Sequence, residues 1–256
     1  MRIAVLALVV VAVAAAPSNP SRIAGGDLTT IDKYPSMAAV LMTRDMINFQ
    51  QNCGGTIINN RSILSAAHCV YGETVESTRV RIGSSYRSSG GEVLPLAAIL
   101  MYPTYTIHKY DDDVAILRTA VEIKYSATVQ PAPIAGPSYD LADDEVVWAT
   151  GWGATETNEF HSEQLRDVQV WTVKHETCRW LYLLGVRITT DMLCIGWLGV
   201  GGRDQCWGDS GGPVFHNGVV VGVCAFGGGC RTPQSHRYPS VNARVSSYST
   251  WIQANA

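Results

Sequence analysis

Three short strings in this chain carry side chains able to break an acyl bond. Ser65-Ala66-Ala67-His68-Cys69 offers an imidazole. Asp111-Asp112-Asp113-Val114-Ala115-Ile116-Leu117 offers a carboxylate at the edge of an apolar run, and Gly208-Asp209-Ser210-Gly211-Gly212-Pro213 a serine framed by glycines. A serine hydroxyl is a weak nucleophile until an imidazole takes its proton, and a carboxylate must hold that imidazole in one tautomer. His68 as base, Asp113 as orienting acid and Ser210 as nucleophile fill these roles. Asp113 is chosen over Asp111 and Asp112 because it directly precedes the apolar run, whose burial shields its carboxylate. The two acids before it read as solvated loop charges. His108, His161, His175, His216 and His236 read as ordinary surface or core histidines.

One rival arrangement fails on the sequence itself. Gly208-Asp209-Ser210-Gly211-Gly212 also fits the Gly-x-Ser-x-Gly elbow of α/β-hydrolases, in which an acid and then a histidine follow the serine. Beyond Ser210 the chain has His216 and His236 but no Asp or Glu. The short apolar runs are also not spaced by the helical patterns that a parallel sheet needs.

The order His68, Asp113, Ser210, with these flanking residues, resembles the trypsin/chymotrypsin family of serine proteases. Phrases such as Val219-Val220-Val221-Gly222-Val223-Cys224 and Val241-Asn242-Ala243-Arg244-Val245 look most like the digestive gut trypsins of lepidopteran larvae. The resemblance implies an oxyanion hole made by the backbone N–H groups of Gly208 and Ser210. It implies a zymogen cut after Arg22, freeing the ammonium of Ile23 to pair with Asp209; Ala24 stands where Val is more usual. It places Asp204 at the base of the primary pocket with Gly227 and Ser240 as walls, so cleavage should follow Arg or Lys. Ser240 departs from the usual Gly, and either narrows the pocket or is absorbed by a shifted loop. Tyr182 should support the pocket, Trp207 should form an apolar lip, and Ala225 replaces a Ser that contacts the catalytic acid in relatives. The disulfides implied are Cys53–Cys69, Cys178–Cys194 and Cys206–Cys230, each worth about 3 kcal/mol in the chain-entropy picture. Cys224 is left over, with neighbours that read as a buried strand and an inert thiol. A catalytically dead binding homologue is the competing class, and retention of all three triad residues argues against it.

Residues 1–16 look like a secretory signal: Arg2, then an unbroken apolar run from Ile3 to Ala16 ending in small residues. The run is shorter than the ~20 residues of a membrane span. Residues 17–22 would be an activation peptide and 23–256 one protease domain. Seven cysteines in an exported chain suggest disulfides. A net charge of −3 with no basic run implies neither nucleic-acid nor membrane affinity. Arginine outnumbers lysine 15 to 4, which keeps surface charge in alkaline fluid, since Lys titrates near ~10.4 and Arg well above ~12.

Short β-branched runs, among them Thr56-Ile57-Ile58, Val80-Arg81-Ile82 and Val146-Val147-Trp148, are separated by Gly, Asn, Ser and Pro clusters. The chain therefore reads as all-β. The resemblance adds two packed antiparallel β-barrels with a short C-terminal helix, joined near 125–137 through Pro131-Ala132-Pro133-Ile134-Ala135-Gly136-Pro137. Ser246 or Ser247 is the expected cap of that helix. The loop 83–92 carries one acid, too few for calcium, so neither metal nor cofactor is expected. Protein substrates and proteinaceous serine protease inhibitors are the expected partners of a secreted, extracellular monomer acting in the gut lumen. Asn60-Arg61-Ser62 is a glycosylation sequon.

Overall fold

A computed structural model describes residues 25–107, 110–155, 158–227 and 237–256. After a short strand β1 (Asp27–Leu28), six strands close an antiparallel barrel: β2 (Met37–Met42), β3 (Gln50–Ile57), β4 (Ser62–Ser65), β5 (Thr78–Ile82), β6 (Glu92–Met101) and β7 (Ala115–Thr119). Closure leaves no edge strand with unpaired backbone. A second group follows, with β8 (Val146–Gly151), β9 (Ala154–Thr155), β10 (Asn158–His161), β11 (Arg166–Val173), β12 (Met192–Gly196), β13 (Pro213–His216), β14 (Val219–Phe226) and β15 (Ser240–Arg244). Its sheet runs β1-β11-β12-β15-β14-β13-β8, and an extra β11–β8 pairing joins the ends of the six larger strands into a second barrel. The helices are α1 (Ala67–Val70), α2 (His175–Leu181) and α3 (Val245–Asn255).

Strand β2 shows how the barrels pack. Side chains alternate across a strand, and here both faces are buried. Ala38 and Val40 enter the main core cluster, whereas Met37, Ala39 and Leu41 pack with Trp152 and Leu165 of the second half. Trp152 is 1% exposed, and an aromatic of that size contributes a few kcal/mol by burial. The proline-rich stretch is stitched to both halves. Ala132 N–H donates to the Ile57 C=O (2.9 Å) and Ala135 N–H to the Val220 C=O (3.0 Å).

Helix α3 begins at Val245 behind Arg244 with no side-chain cap, which corrects the expected Ser246 or Ser247. The chain enters directly from β15, so the serines fall inside the first turn, where the Ser249 hydroxyl bonds back to the Ser246 C=O. Tyr248 and Trp251 pack edge-on against Tyr102 at 5.0 and 5.2 Å, fixing the helix on the first barrel. Cys53–Cys69 and Cys178–Cys194 are disulfide-bonded. Cys206 is also disulfide-bonded, and its expected partner Cys230 lies outside the described residues.

Candidate active site

His68 sits in the single turn of α1, between β4 and β5. So short a helix is not self-supporting, and Ala66 at its N-cap offers no side-chain bond. Two tethers replace the cap. The Cys53–Cys69 bridge fastens the turn to β3. Asp113 accepts the otherwise orphaned backbone N–H of His68 through Oδ1 at 2.8 Å. Its Oδ2 faces His68 Nδ1 at 2.6 Å. One carboxylate thus caps the helix and orients the imidazole. Asp113 is 5% exposed, as its place before the buried run Val114–Leu117 predicts.

Asp111 and Asp112 depart from the sequence reading. Both are half-buried and bonded. Thr189 donates to Asp111 (3.1 Å), while Thr104 (2.5 Å) and Tyr248 (3.2 Å) donate to Asp112. Asp112 holds φ at 59°, a conformation short acidic side chains tolerate, and this turn aims Asp113 inward.

Ser210 lies on the loop before β13. Its backbone C=O accepts the N–H of Gly54 on β3 at 2.7 Å, a bond across the two barrels. Gly211 presses on the strand end that leads to His68. A Cβ there would meet the Ser65 hydroxyl at 2.3 Å and the Gly54 carbonyl oxygen at 2.6 Å, and φ is +76°. Only glycine fits. Gly208 also has a left-handed φ, +95°. The carbonyl of Trp207, on its N-terminal side, accepts the Ala154 N–H at 2.7 Å. Trp207 itself stands 68% exposed beside the cleft.

Asp204 is 2% exposed. Its Oδ1 accepts the Ser240 hydroxyl at 2.5 Å and the Gln205 N–H at 2.9 Å. Burial pushes its carboxyl up to about 7, opposed by those two donors, with the Asp209 charge adding a smaller upward push. Gly227 faces Ser240 so closely that a Cβ would lie 2.9 Å from the Ser240 hydroxyl. The Tyr182 hydroxyl anchors the Pro239 C=O, next to Ser240, at 2.7 Å. The structure therefore brings Asp204, Ser240, Gly227 and the Pro239 carbonyl held by Tyr182 together. Asp209 is 1% exposed. It accepts the Gly153 N–H (2.7 Å) and the Cys206 N–H (2.8 Å), and burial raises its carboxyl to about 6 against those bonds. Arg22 and Ile23 lie outside the described residues.

Two polar residues beside Gly208 escaped the sequence reading, Gln51 and His161. Gln51 gave no signal beyond being a polar residue two positions before Cys53. Among the described residues, Cys53, His68 and Cys69 cluster as metal-type ligands, but the two sulfurs are bonded to each other. In the loop 83–92 the Arg81 guanidinium donates to the Gly90 and Ser88 carbonyls, so the loop carries its own cation. Cys224 is buried and free, and burial holds its thiol well above the ordinary value. It is a core side chain.

Comparison with known proteins adds the lineage of this arrangement. The Trypsin family model matches residues 23–252. The chain is 53% identical over 255 residues to "Trypsin, alkaline C" of Manduca sexta, covering 99% of this chain and 98% of that protein. It is 52% identical to "Trypsin CFT-1" of Choristoneura fumiferana over the same shares. With "Achelase-1" of Lonomia achelous it shares 48% over 91% of this chain and all of the relative. A buried acid on a cleft histidine, a glycine-framed serine and a match along nearly the whole length agree: this chain belongs to the trypsin family of serine endopeptidases.

Proposed function

We propose that this endopeptidase is secreted as a zymogen, is activated by cleavage after Arg22, and cuts polypeptides after Arg or Lys. In this reading Ser210 attacks the scissile carbonyl while His68 takes its proton, and Asp113 stabilises the imidazolium that forms. The N–H groups of Gly208 and Ser210 receive the developing oxyanion. His68 then returns the proton to the leaving amine, and water repeats the cycle on the acyl-enzyme. The observation that supports the specificity is Asp204, a buried carboxylate bonded to Ser240. A buried anion is costly until a cation pairs with it, and a guanidinium or ammonium side chain of the substrate is that cation. The Ser240 hydroxyl, which occupies part of Asp204's accepting capacity, supports unequal use of Arg and Lys.

The zymogen reading rests on Asp209. Among the described residues this buried carboxylate has backbone donors but no cation, and Gly25 already packs against Gly202 and Arg203. The active form should begin Ile-Ala-Gly-Gly on N-terminal sequencing, and an Arg22→Gln chain should stay nearly inactive. Full activity in the uncut variant would reject the mechanism. Pairing with Asp209 raises the Ile23 ammonium above the ~8 of a free α-amino group. A raised amine contributes stability that is complete at low pH and is lost as pH rises through the raised value. Activity should therefore persist to about pH 9 and decline above it.

The digestive, alkaline setting is part of the proposal. It is supported by the Arg excess and by relatives named alkaline trypsins. The apolar leader supports export, and no helix among the described residues is long and apolar enough to cross a membrane. The gut lumen is the proposed location, the monomer the proposed state, and proteinaceous inhibitors that mimic a basic substrate the proposed partners besides substrate proteins. The pairing of Cys206 with Cys230 belongs to the same reading.

A further inference from the structure

Gly208 is the least constrained residue type placed where geometry matters most, since glycine swings freely about φ and ψ. Two peptide planes meet at its Cα. The Trp207–Gly208 plane is held on its carbonyl side by the Ala154 N–H (2.7 Å). Because a trans peptide points its C=O and N–H in opposite directions, that bond also aims the Gly208 N–H. The second plane is held through the Gly208 carbonyl, which accepts Gln51 Nε2 at 2.8 Å.

Gln51 is 5% exposed on β3, beside a register shift that sets Leu41 opposite Gln51 and Val40 opposite Cys53, leaving Asn52 unpaired and exposed. This bulge puts the Gln51 amide inward beneath Gly208. Its Nε2 also donates to the Cys53 C=O at 3.2 Å. Both neighbours on that side are acceptors, so the amide orientation is fixed by its partners. Oε1 then faces His161 Nδ1 at 3.0 Å, and His161 must donate from Nδ1. The ring lies directly over Gly208, where an added Cβ would meet Cε1 at 2.8 Å and Nδ1 at 2.9 Å. Burial, and then the Arg87 charge, lower the imidazole below its ordinary value, which favours the neutral ring.

We infer that Gln51 and His161 are positioning residues for the oxyanion hole: His161 orients the Gln51 amide, and that amide pins Gly208 so that its N–H meets the developing charge. This inference rests on the acyl-transfer reading of Ser210 and Gly208. The test uses the activated full chain with Gln51→Met and, as a milder change, His161→Phe. Removing an oxyanion donor outright costs about 10²–10³ in kcat, so a displaced one should cost about 10- to 100-fold in Gln51→Met. His161→Phe should lose less, in the same direction. Affinity for a peptide aldehyde, which adds to the serine as a tetrahedral species, should fall in parallel with kcat. Affinity for benzamidine, which reads only the primary pocket, should stay within twofold. An unchanged kcat, an unchanged aldehyde affinity, or benzamidine affinity falling in step with kcat would each overturn the inference. Stoichiometric burst release from an acylating ester separates the two levels. Its absence in the wild type would overturn the acyl-transfer reading, whereas a normal burst with unaffected variants would overturn the brace alone.

Discussion

Ser210→Ala should remove nearly all peptidase activity, with kcat falling on the order of 10⁶-fold, as when the nucleophile of a convergent protease is deleted. That corresponds to about 8 kcal/mol of lost transition-state stabilisation. The loss should be non-additive. Adding His68→Ala to Ser210→Ala should cost little more, because without a nucleophile the base has no proton to take. Benzamidine affinity should survive, since the contacts joining Asp204, Ser240 and Gly227 do not involve the serine hydroxyl. Substantial turnover by a pure preparation of the variant would show that another group attacks the substrate.

Asp204→Ser should reduce kcat/KM on Arg and Lys substrates by about 10²- to 10⁴-fold, because removing one partner of a buried ion pair leaves the other charge uncompensated at a cost of about 3–5 kcal/mol. The wild-type carboxyl also predicts a pH signature. Raised to about 7 by burial, it holds a proton below that pH and cannot pair with a cation until the proton leaves. Benzamidine should therefore bind with constant affinity well above pH 7 and lose about tenfold per pH unit below it, a slope absent in Asp204→Ser. The effect on folding has the opposite sense to that of a salt-bridged acid. The native state holds more protons than the unfolded chain between the ordinary carboxyl value and about 7, so Asp204 lowers the stability of the unliganded fold as pH rises through that window. Affinity that is flat from pH 5 to 8 would show that no buried carboxylate governs the pocket.

Each residue proposed for the triad carries a local signal. His68 precedes Cys69, Asp113 begins an apolar run, and Ser210 lies among glycines whose φ values only glycine holds comfortably. The alternation of β2 was legible as apolar sequence, but not its division between two cores, which depends on Trp152 and Leu165 more than 100 residues away. Asp111 and Asp112 read as solvated because their partners Thr189 and Tyr248 arrive from the second barrel and α3. His161 read as an ordinary histidine for the same reason: its meaning lies in Gln51, 110 residues earlier, and in a bulge that no composition signals. Ser240 was recognised as a departure, but its 2.5 Å bond to Asp204 was not. Local chemistry is written in local sequence. The bracing that aims it comes from chain crossings, where loop closure joins residues that share no motif.

The most direct test of the account is the activated enzyme offered a panel of peptides differing only in the residue before the scissile bond, with products identified by mass. Cleavage is expected after Arg and Lys alone, at unequal rates set by Ser240 against Asp204, and none in the Ser210→Ala variant. Preferred cleavage after Phe or Leu, or no cleavage of any peptide once Ile23 is the N-terminus, would contradict it.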